Sequence, residues 1–334
     1  AGGSPISLDA LEQLSVDITP FDVRHSGFTG GAINAVTKSG TNQWHASVYN
    51  YYTNDQLTGD RIADEKLSLT ESFSNVTGLT LGGPIIKNKL FFFLNAEYSP
   101  ETNPSSKLAR PSESDKFGGV YSRPTEAFMN EVSDYLKNTY GYDPGPYQNY
   151  SIATPDWKVM ARVDWNINNS NKLNVRFNHT ANMVNSWPST SVSPMSHNKD
   201  NMYNRYDYGR TSDYAMFFQG SNYQTLQQFT SLSAELNSRF LDGTLNNMFR
   251  FTWSHQNEER SFMGDVFPTV DILQDTEDGK KAVITSFGLD PFTLGNLRDV
   301  QTITVTDEVS IMKGINNITA GLQFEWDETK NGYS

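Results

Sequence analysis

The sequence has no cysteine and no long apolar run, and each absence excludes a class of protein. None of the 334 residues is a cysteine, which rules out disulfide bonds and cysteine-based metal sites without fixing the compartment. The longest apolar run is LFFFL at 90–94, whereas a transmembrane helix needs about 18 such residues or more. In a membrane-spanning β-strand only every second residue faces lipid, so no continuous apolar run is needed and a transmembrane barrel remains possible.

Positive charge and catalytic motifs are also scarce. The 26 Lys and Arg residues are outnumbered by 38 Asp and Glu residues, giving a net charge of -12, so the chain is not a basic nucleic-acid binder. The five histidines are scattered without an HExxH motif, and the sequence has no P-loop, no GxSxG elbow and no GxGxxG ahead of a helix. We therefore expect no catalytic residue, no metal site and no cofactor.

Apolar residues recur with period two, which is typical of β-strands with one buried or lipid-facing side. In VMARVDWN, residues Val159, Ala161, Val163 and Trp165 are apolar, and the residues between them are mostly polar. The same alternation occurs in eight further segments, near 44–48, 79–81, 90–98, 173–177, 232–236, 249–253, 303–311 and 318–326. The sequence therefore predicts about nine strands, each able to cross a bilayer when tilted.

The predicted connections alternate between short and long. The short ones are GGPIIKNK, NINNSNK, LDGT and KGINN, whose Gly, Asn, Asp and Lys residues favour tight turns. The long ones cover about 55–72, 99–156, 181–224 and 256–301. Outer-membrane barrels combine short periplasmic turns with long surface loops. The fold class is therefore all-β, an antiparallel transmembrane β-barrel; the alternative is a soluble all-β glycan-binding or hydrolytic module.

The long connections are rich in Tyr, Asn, Ser and Pro, as in NTYGYDPGPYQNYS and NKDNMYNRYDYGRTSDY. We interpret them as solvated polar loops, with ligand contact as the alternative. One segment, PTEAFMNEVSDYLKNTYG, predicts a helix, because Pro124 suits a first turn, Phe128, Val132 and Tyr135 share a face, and Gly141 suits the C-terminal stop.

The N-terminal residues carry a more specific resemblance. The segment LDALEQLSVDITPFDVRHSGFTGGAINAVTKSGTNQWHASVY resembles the end of the plug domain and the first barrel strand of TonB-dependent outer-membrane transporters. Together with VTGLTLGGPIIKNKLFFFLNAEY, the motif GGAINAVTKSGTN resembles the Oar-like branch found in Bacteroidota. This resemblance implies that residues 1–43 are the C-terminal part of a plug and residues 44–334 the N-terminal part of a barrel. Beyond Tyr98 the match rests on the strand and turn pattern.

The resemblance also implies candidate site residues. Residues 32–37 would form a late plug strand, preceded by glycines that allow tight packing or a positive φ. The candidates for the junction between plug and barrel are Gly30, Gly31, Asn34, Ser39 and Gly40. The candidates for the lumen face are Arg162, Arg176, Arg250, His45 and Tyr49, with Tyr51 nearby. Each lumen candidate could bind the plug or contact a substrate.

The function implied by the resemblance is TonB-dependent active import of a ligand across the bacterial outer membrane. The expected partners are a TonB-like energy transducer and outer-membrane lipid. The alternative is a barrel of the same family that acts as a structural subunit of a surface assembly, with surface lipoproteins as partners. The substrate remains open among siderophore, peptide, glycan and cobalamin.

The predicted strands are too few for a complete transporter. Such barrels have about 22 strands, and an odd count ending near Trp326 would leave an open edge that cannot face lipid unpaired. The sequence also lacks a signal peptide, a TonB box and most of a plug. We therefore expect the chain to begin inside a longer precursor and to be a fragment of a larger transporter.

Overall fold

The computed structural model describes residues 6–18, 23, 31–62, 65–66, 71–107, 110–113, 118, 121–189, 208–276, 279 and 281–333. The junction candidate Gly30 lies outside these described residues, and so does the predicted loop segment NKDNMYNRYD at 198–207. Among the described residues, no helix has the length and hydropathy needed to cross a membrane.

The described residues form eighteen strands and two α-helices. The strands are β1 (Leu11–Asp17), β2 (Ala32–Thr37), β3 (His45–Asn54), β4 (Arg61–Ile62), β5 (Glu65–Lys66), β6 (Phe73–Ile86), β7 (Leu90–Pro104), β8 (Arg110–Ser112), β9 (Tyr121–Thr125), β10 (Ser151–Asn166), β11 (Asn171–Ser186), β12 (Met216–Phe217), β13 (Tyr223–Phe240), β14 (Leu245–Phe262), β15 (Val270–Asp275), β16 (Lys281–Phe287), β17 (Leu297–Lys313) and β18 (Asn316–Gly332). The helices are α1 (Asp55–Thr58) and α2 (Glu126–Tyr140). Short 3-10 turns occur at Leu8–Ala10, Gln219–Ser221 and Leu241–Gly243.

Nine of the strands form one antiparallel sheet, here called the wall, in the order β3-β6-β7-β10-β11-β13-β14-β17-β18. Because consecutive wall strands are neighbours, the short turns at 87–89, 167–170, 241–244 and 314–315 lie at one end, and the long connections lie at the other. The nine predicted strands and the alternation of connection lengths are confirmed. The strands are longer than predicted, since their hydrogen-bond ladders continue past the apolar positions, as at Asn182 opposite Gln227.

The two faces of the wall differ in polarity. Large apolar side chains project from the outer face and are exposed, including Val163, Phe177, Leu232, Phe249 and Leu322. The residues between them face inward and are mostly polar, because successive strand residues alternate between faces. This arrangement matches a sheet with one lipid-facing side and one polar side.

The N-terminal hairpin, β1 with β2, forms a separate two-stranded antiparallel sheet. The segment before it contacts the inner face of the wall, where Ala10 packs with Phe93 and Met160 and with the half-buried Ile6. Phe93 and Met160 are apolar side chains on an otherwise polar face. Their burial is explained by this contact, since Ala10 and Ile6 of the segment before the hairpin remove them from water.

The described parts of three long connections, those at 105–150, 187–222 and 263–296, fold together into a unit here called the cap. Its core contains residues from all three connections, such as Met129, Met216 and Phe287, which are buried against one another. The interpretation of these segments as solvated polar loops is therefore wrong for the described parts of the cap. The segment NTYGYDPGPYQNYS shows why, because Tyr142 and Tyr150 are buried there despite polar neighbours.

The predicted helix in the cap is confirmed as α2. Its N-terminal cap is Thr125, whose hydroxyl accepts a hydrogen bond from the backbone N–H of Phe128 at 3.2 Å. Gly141 ends the helix in the left-handed conformation, with φ 66°. Pro124 lies before the N-cap residue Thr125 and not in the first turn of the helix, because it belongs to β9.

Candidate functional site

The segment before the N-terminal hairpin is attached to the wall by a buried polar cluster. Ser7, which is 2% exposed, donates a hydrogen bond to Glu97 Oε2 at 2.6 Å. The Tyr49 hydroxyl also donates to Glu97 Oε2, at 2.9 Å, and lies 3.0 Å from the Ser7 hydroxyl. The predicted lumen residue Tyr49 therefore faces inward and contacts the N-terminal segment.

Lys158 compensates the charge of this cluster. Its Nζ lies 2.9 Å from Glu97 Oε1 and 3.1 Å from Asp156 Oδ2. The side chains of Lys158 and Glu97 are only 13% and 7% exposed, so an unpaired charge here would carry a large desolvation cost. Lys158 binds Glu97 Oε1, and Ser7 and Tyr49 bind Oε2. Both oxygens of the buried carboxylate therefore have hydrogen-bond partners.

A glycine on the neighbouring strand positions Tyr49. Gly78 lies opposite Tyr49 in the β3–β6 ladder. A Cβ atom on Gly78 would collide with the Tyr49 ring, so the ring occupies the space that a side chain at residue 78 would fill. The absence of a side chain at residue 78 thus lets the Tyr49 hydroxyl reach Glu97 and Asn95, the latter at 3.2 Å.

Arg162 makes a second contact between the wall and the hairpin. Its Nη1 donates to the backbone carbonyl of Thr37 at 2.6 Å and to the Thr37 hydroxyl at 3.2 Å. Its Nε and Nη2 donate to the two oxygens of Asp164 at 2.8 and 2.9 Å. Arg162 therefore holds the last residue of β2 through a carbonyl and a hydroxyl.

The other two arginines predicted to face the lumen bind within the wall. Arg250 contacts Glu235 through Nη2 at 2.7 Å and through Nε at 2.8 Å. Arg176 lies opposite Arg162 in the ladder and approaches Glu235 at 4.0 Å. The inward orientation of all three predicted arginines is observed, and among the described residues only Arg162 is seen to contact the hairpin.

The junction candidates divide between the hairpin and the wall. Gly31 does not have the positive φ proposed for it, and a Cβ there would lie 3.0 Å from the carbonyl oxygen of Asp17 in β1. Asn34 also contacts the hairpin, since its side-chain amide donates to Asp17 Oδ2 at 3.0 Å. Of the two properties expected of this glycine, the structure shows tight packing, against the hairpin's own strand β1, and no positive φ.

Gly40 is the glycine that approaches the wall. A Cβ on Gly40 would lie 2.8 Å from the carbonyl oxygen of Gly83 and 2.9 Å from the backbone nitrogen of Phe92, and still closer to the carbonyl oxygen of Phe92. These are backbone atoms of β6 and β7, which cannot move aside as a flexible side chain would. The chain leaves the hairpin and reaches the wall at this residue.

His45 and Ser39 line a cleft of about 420 Å³ between the end of the hairpin and the wall. The same cleft is lined by Glu12 of β1, by Lys38, which follows β2, and by wall residues such as Thr80. The described residues contain no group of three or more His, Cys, Asp and Glu placed to bind a metal ion.

Sequence reasoning missed Ser7, Glu97 and Lys158. A signal for two of them was present, because the alternation that places Tyr98 and Trp157 on the outer face places Glu97 and Lys158 on the inner one. Their direct pairing across the β7–β10 ladder depends on the register, which is seen only in the structure. Ser7 had no signal, since it precedes the hairpin in an irregular segment.

The sequence and the fold are similar to known proteins. A family model described as "Outer membrane beta barrel domain" matches residues 36–334. The TonB-dependent transporter Oar of Myxococcus xanthus is 28% identical over 199 residues, covering 58% of this chain and 18% of that protein. The probable TonB-dependent siderophore receptor PirA of Acinetobacter baumannii is 34% identical over 95 residues, covering 28% of this chain and 11% of that protein.

Among solved structures, the outer membrane transporter YddB from Escherichia coli aligns with a TM-score of 0.54 at 10% identity. The alignment covers 97% of this chain and 35% of the YddB chain. The similarity in fold thus extends over nearly all of the chain. The chain spans less than a fifth of the length of the two curated relatives.

Proposed function

This chain belongs to the outer membrane beta barrel domain family, and on that premise we propose that it takes part in TonB-dependent import of a ligand across the bacterial outer membrane, where the family places it. The curated relatives support the resemblance to TonB-dependent transporters noted in the sequence. The relative named Oar comes from Myxococcus xanthus, so the Bacteroidota branch stays a prediction.

The observation that carries this proposal is the contact between the N-terminal segment and the polar face of the wall. We assign residues 1–43 to the end of a plug domain and residues 44–334 to the first part of a barrel. In support, β3 begins at His45, and the segment before it is attached to the wall through Ser7 and Thr37. A folded segment held inside a polar lumen is what an importer must displace.

The proposed barrel is larger than the chain. In the described residues, β3 and β18 have a neighbouring strand on one side only. In hydrocarbon, each unsatisfied backbone group of an unpaired strand edge costs on the order of several kcal/mol. We therefore propose that further strands continue the wall in the intact protein.

The chemistry of the contact suits reversible release. It consists of a small apolar cluster around Ala10 and a few hydrogen bonds to Glu97 and Arg162. Each hydrogen bond contributes a net stability of only about 0.5–3 kcal/mol, since water replaces the partner when the contact opens. A pulling force from a TonB-like energy transducer could thus separate the segment from the wall while the wall ladder remains intact. No covalent step is involved.

A reversible cross-link between the segment and the wall tests this proposal. In the full-length protein, Ser7→Cys with Glu97→Cys would be joined by a short thiol-specific linker that a reductant cleaves. Uptake of labelled ferric siderophores, cobalamin, oligopeptides and glycans would be measured in cells, and the substrate identified by comparison with a deletion strain. We expect cross-linking to stop uptake and reduction to restore it in the same variant.

The matched control is Asn42→Cys with Asn88→Cys. These two side chains are in contact at 2.6 Å, but the link would join the short segment between the hairpin and the wall to a wall turn and leave the hairpin itself free. Uptake that continues with the Ser7–Glu97 link in place would contradict the proposal. Normal uptake in the deletion strain, with the protein recovered in a stable complex with surface lipoproteins, would favour a structural subunit instead.

A further inference from the structure

A cleft of about 550 Å³ lies where the cap meets the wall, at the end with the long connections. Its lining includes Trp187 from the cap, Tyr223 and Arg260 from the wall, and Phe292 from the cap. Tyr223 and Arg260 share the inward face with Glu235 and Arg250, since residues of equal parity within a strand face the same way. The cleft therefore opens on the polar side of the sheet.

Arg260 is the charged side chain among the described residues that line this cleft. Its guanidinium lies over the Tyr223 ring, 4.4 Å from the ring centroid. Among the described residues, the carboxylate that pairs with it is Asp290, whose Oδ2 lies 3.8 Å away and whose side chain has no exposed surface. Asp290 already accepts the backbone N–H groups of Ser189 at 2.6 Å and Phe292 at 3.0 Å. The carboxylate thus neutralises Arg260 only in part.

Trp187, one of the aromatic side chains of the cleft, is held in place before any ligand binds. The Trp187 indole N–H donates to the carbonyl of Ser105 at 2.9 Å, and the ring packs edge-on to Phe217 at 5.7 Å. Trp187 is still 45% exposed, so part of its ring surface is accessible. Phe292 lies 5.6 Å from Tyr333. Fixed aromatic rings bind a planar group with little loss of side-chain entropy.

A second cleft, of about 790 Å³, adjoins the first at Trp187 and has the opposite charge. Its lining includes the carboxylates of Glu101 and Asp156. Asp156 is paired with Lys158, and Glu101 accepts a hydrogen bond from Ser74 at 3.1 Å. The Glu101 carboxylate therefore makes this side of Trp187 less favourable for an anion than the side of Arg260.

We propose that the cleft around Arg260 is a ligand-binding site for molecules that combine an anionic group with a planar ring. The guanidinium binds the anion through charge-assisted hydrogen bonds, and Trp187 and Phe292 contact the ring. The inference rests on the proposed import function in one respect, which is that the cleft is taken as the first binding site of the transported ligand. The binding itself needs no energy source.

Three matched probes test the site in the purified full-length protein in detergent, by isothermal titration calorimetry. They are naphthoate, naphthalenemethanol and naphthylmethylamine, which share one ring and carry negative, neutral and positive groups. We expect naphthoate to bind at least tenfold more tightly than the other two. Arg260→Gln should remove this preference, whereas Arg260→Lys should retain part of it because the charge is kept.

Two further variants separate the roles of charge and ring. Trp187→Ala should weaken all three probes by a similar factor, since they share the ring. Arg239→Gln, at the opposite end of β13, should change nothing. Equal affinity for the three probes, no binding of naphthoate, or an unchanged preference in Arg260→Gln would overturn the inference. Intact binding together with unaltered uptake after cross-linking at Ser7 would reject only the import proposal.

Discussion

At the scale of single residues, two glycines of the N-terminal segment have different surroundings. Gly40 passes over the wall so closely that a Cβ would meet backbone atoms of Gly83 and Phe92 within 3 Å. Gly31 would bring a Cβ to 3.0 Å from one carbonyl, that of Asp17 in a two-stranded hairpin. A hairpin strand can shift by a few tenths of an ångström more easily than the interior of a nine-stranded ladder.

We therefore expect Gly40→Ala to destabilise the attachment of the N-terminal segment by about 1–3 kcal/mol, as overpacking does elsewhere. Gly31→Ala is the matched comparison and should cost less. Protease protection of residues 6–18 in the full-length protein would measure the effect. If the two variants lose protection equally, the close approach of Gly40 to the wall does not control the attachment.

At the scale of elements, adjacent residues of β17 face opposite sides of the wall. Val305 is on the outer face, in register with Phe251 and Phe324, and Thr304 is on the inner face. The Thr304 hydroxyl lies 3.5 Å from Glu325 Oε2, so a positive charge at this inner position would meet a carboxylate. A positive charge at Val305 would meet only apolar side chains and lipid.

Val305→Arg should destabilise the inserted protein by about 2–4 kcal/mol if the residue lies near the bilayer midplane. Thr304→Arg, one residue away, should cost little. Unfolding of the full-length protein from bilayers by denaturant gives both values. Similar costs at the two positions would argue against a lipid-facing outer surface.

At the scale of the whole molecule, buried ionic groups join the long connections into one cap. Arg210 and Asp271, which are 2% and 3% exposed, form a bidentate ion pair with two contacts of 2.8 Å between separate connections. Lys107 donates to the carbonyls of Ser212 and Ala215, the latter at 3.1 Å. The cap therefore depends on contacts distant in sequence.

Burial lowers the pKa of the Lys107 ammonium from 10.5 to about 8. Between these values the unfolded cap binds a proton that the folded cap does not, so cap stability should rise with pH through this window, by at most about 3 kcal/mol. Lys107→Met should remove the rise. Hydrogen exchange of α2 at pH values on both sides of 8, corrected for intrinsic exchange, measures it.

Lys137→Met is the control, since Lys137 is exposed and contacts the exposed Asp143 at 3.3 Å. This variant should keep the pH dependence of the unmodified protein. A rise in protection that persists in Lys107→Met would assign the effect to other groups of the cap.

The sequence alone determined the wall and α2. The period-two alternation around residues such as Val163 and Phe249 reflects strand geometry, in which each residue faces one side, so the nine strands and their two faces were readable locally. The turns were readable because Gly and Asn adopt conformations that other residues avoid. The inward position of Arg162, Arg176 and Arg250 followed from the same alternation.

Only the tertiary structure decided which inward residues hold the N-terminal segment and that the loops form a cap. The contact of Ser7 with Glu97 joins residues 90 positions apart, and that of Lys107 with Ala215 joins residues 108 apart. Polar composition predicted solvated loops, since the few apolar residues such as Met129 and Phe218 lie too far apart in sequence to show a shared core. Contacts of this kind depend on strand register and on chain crossings, which no local pattern encodes.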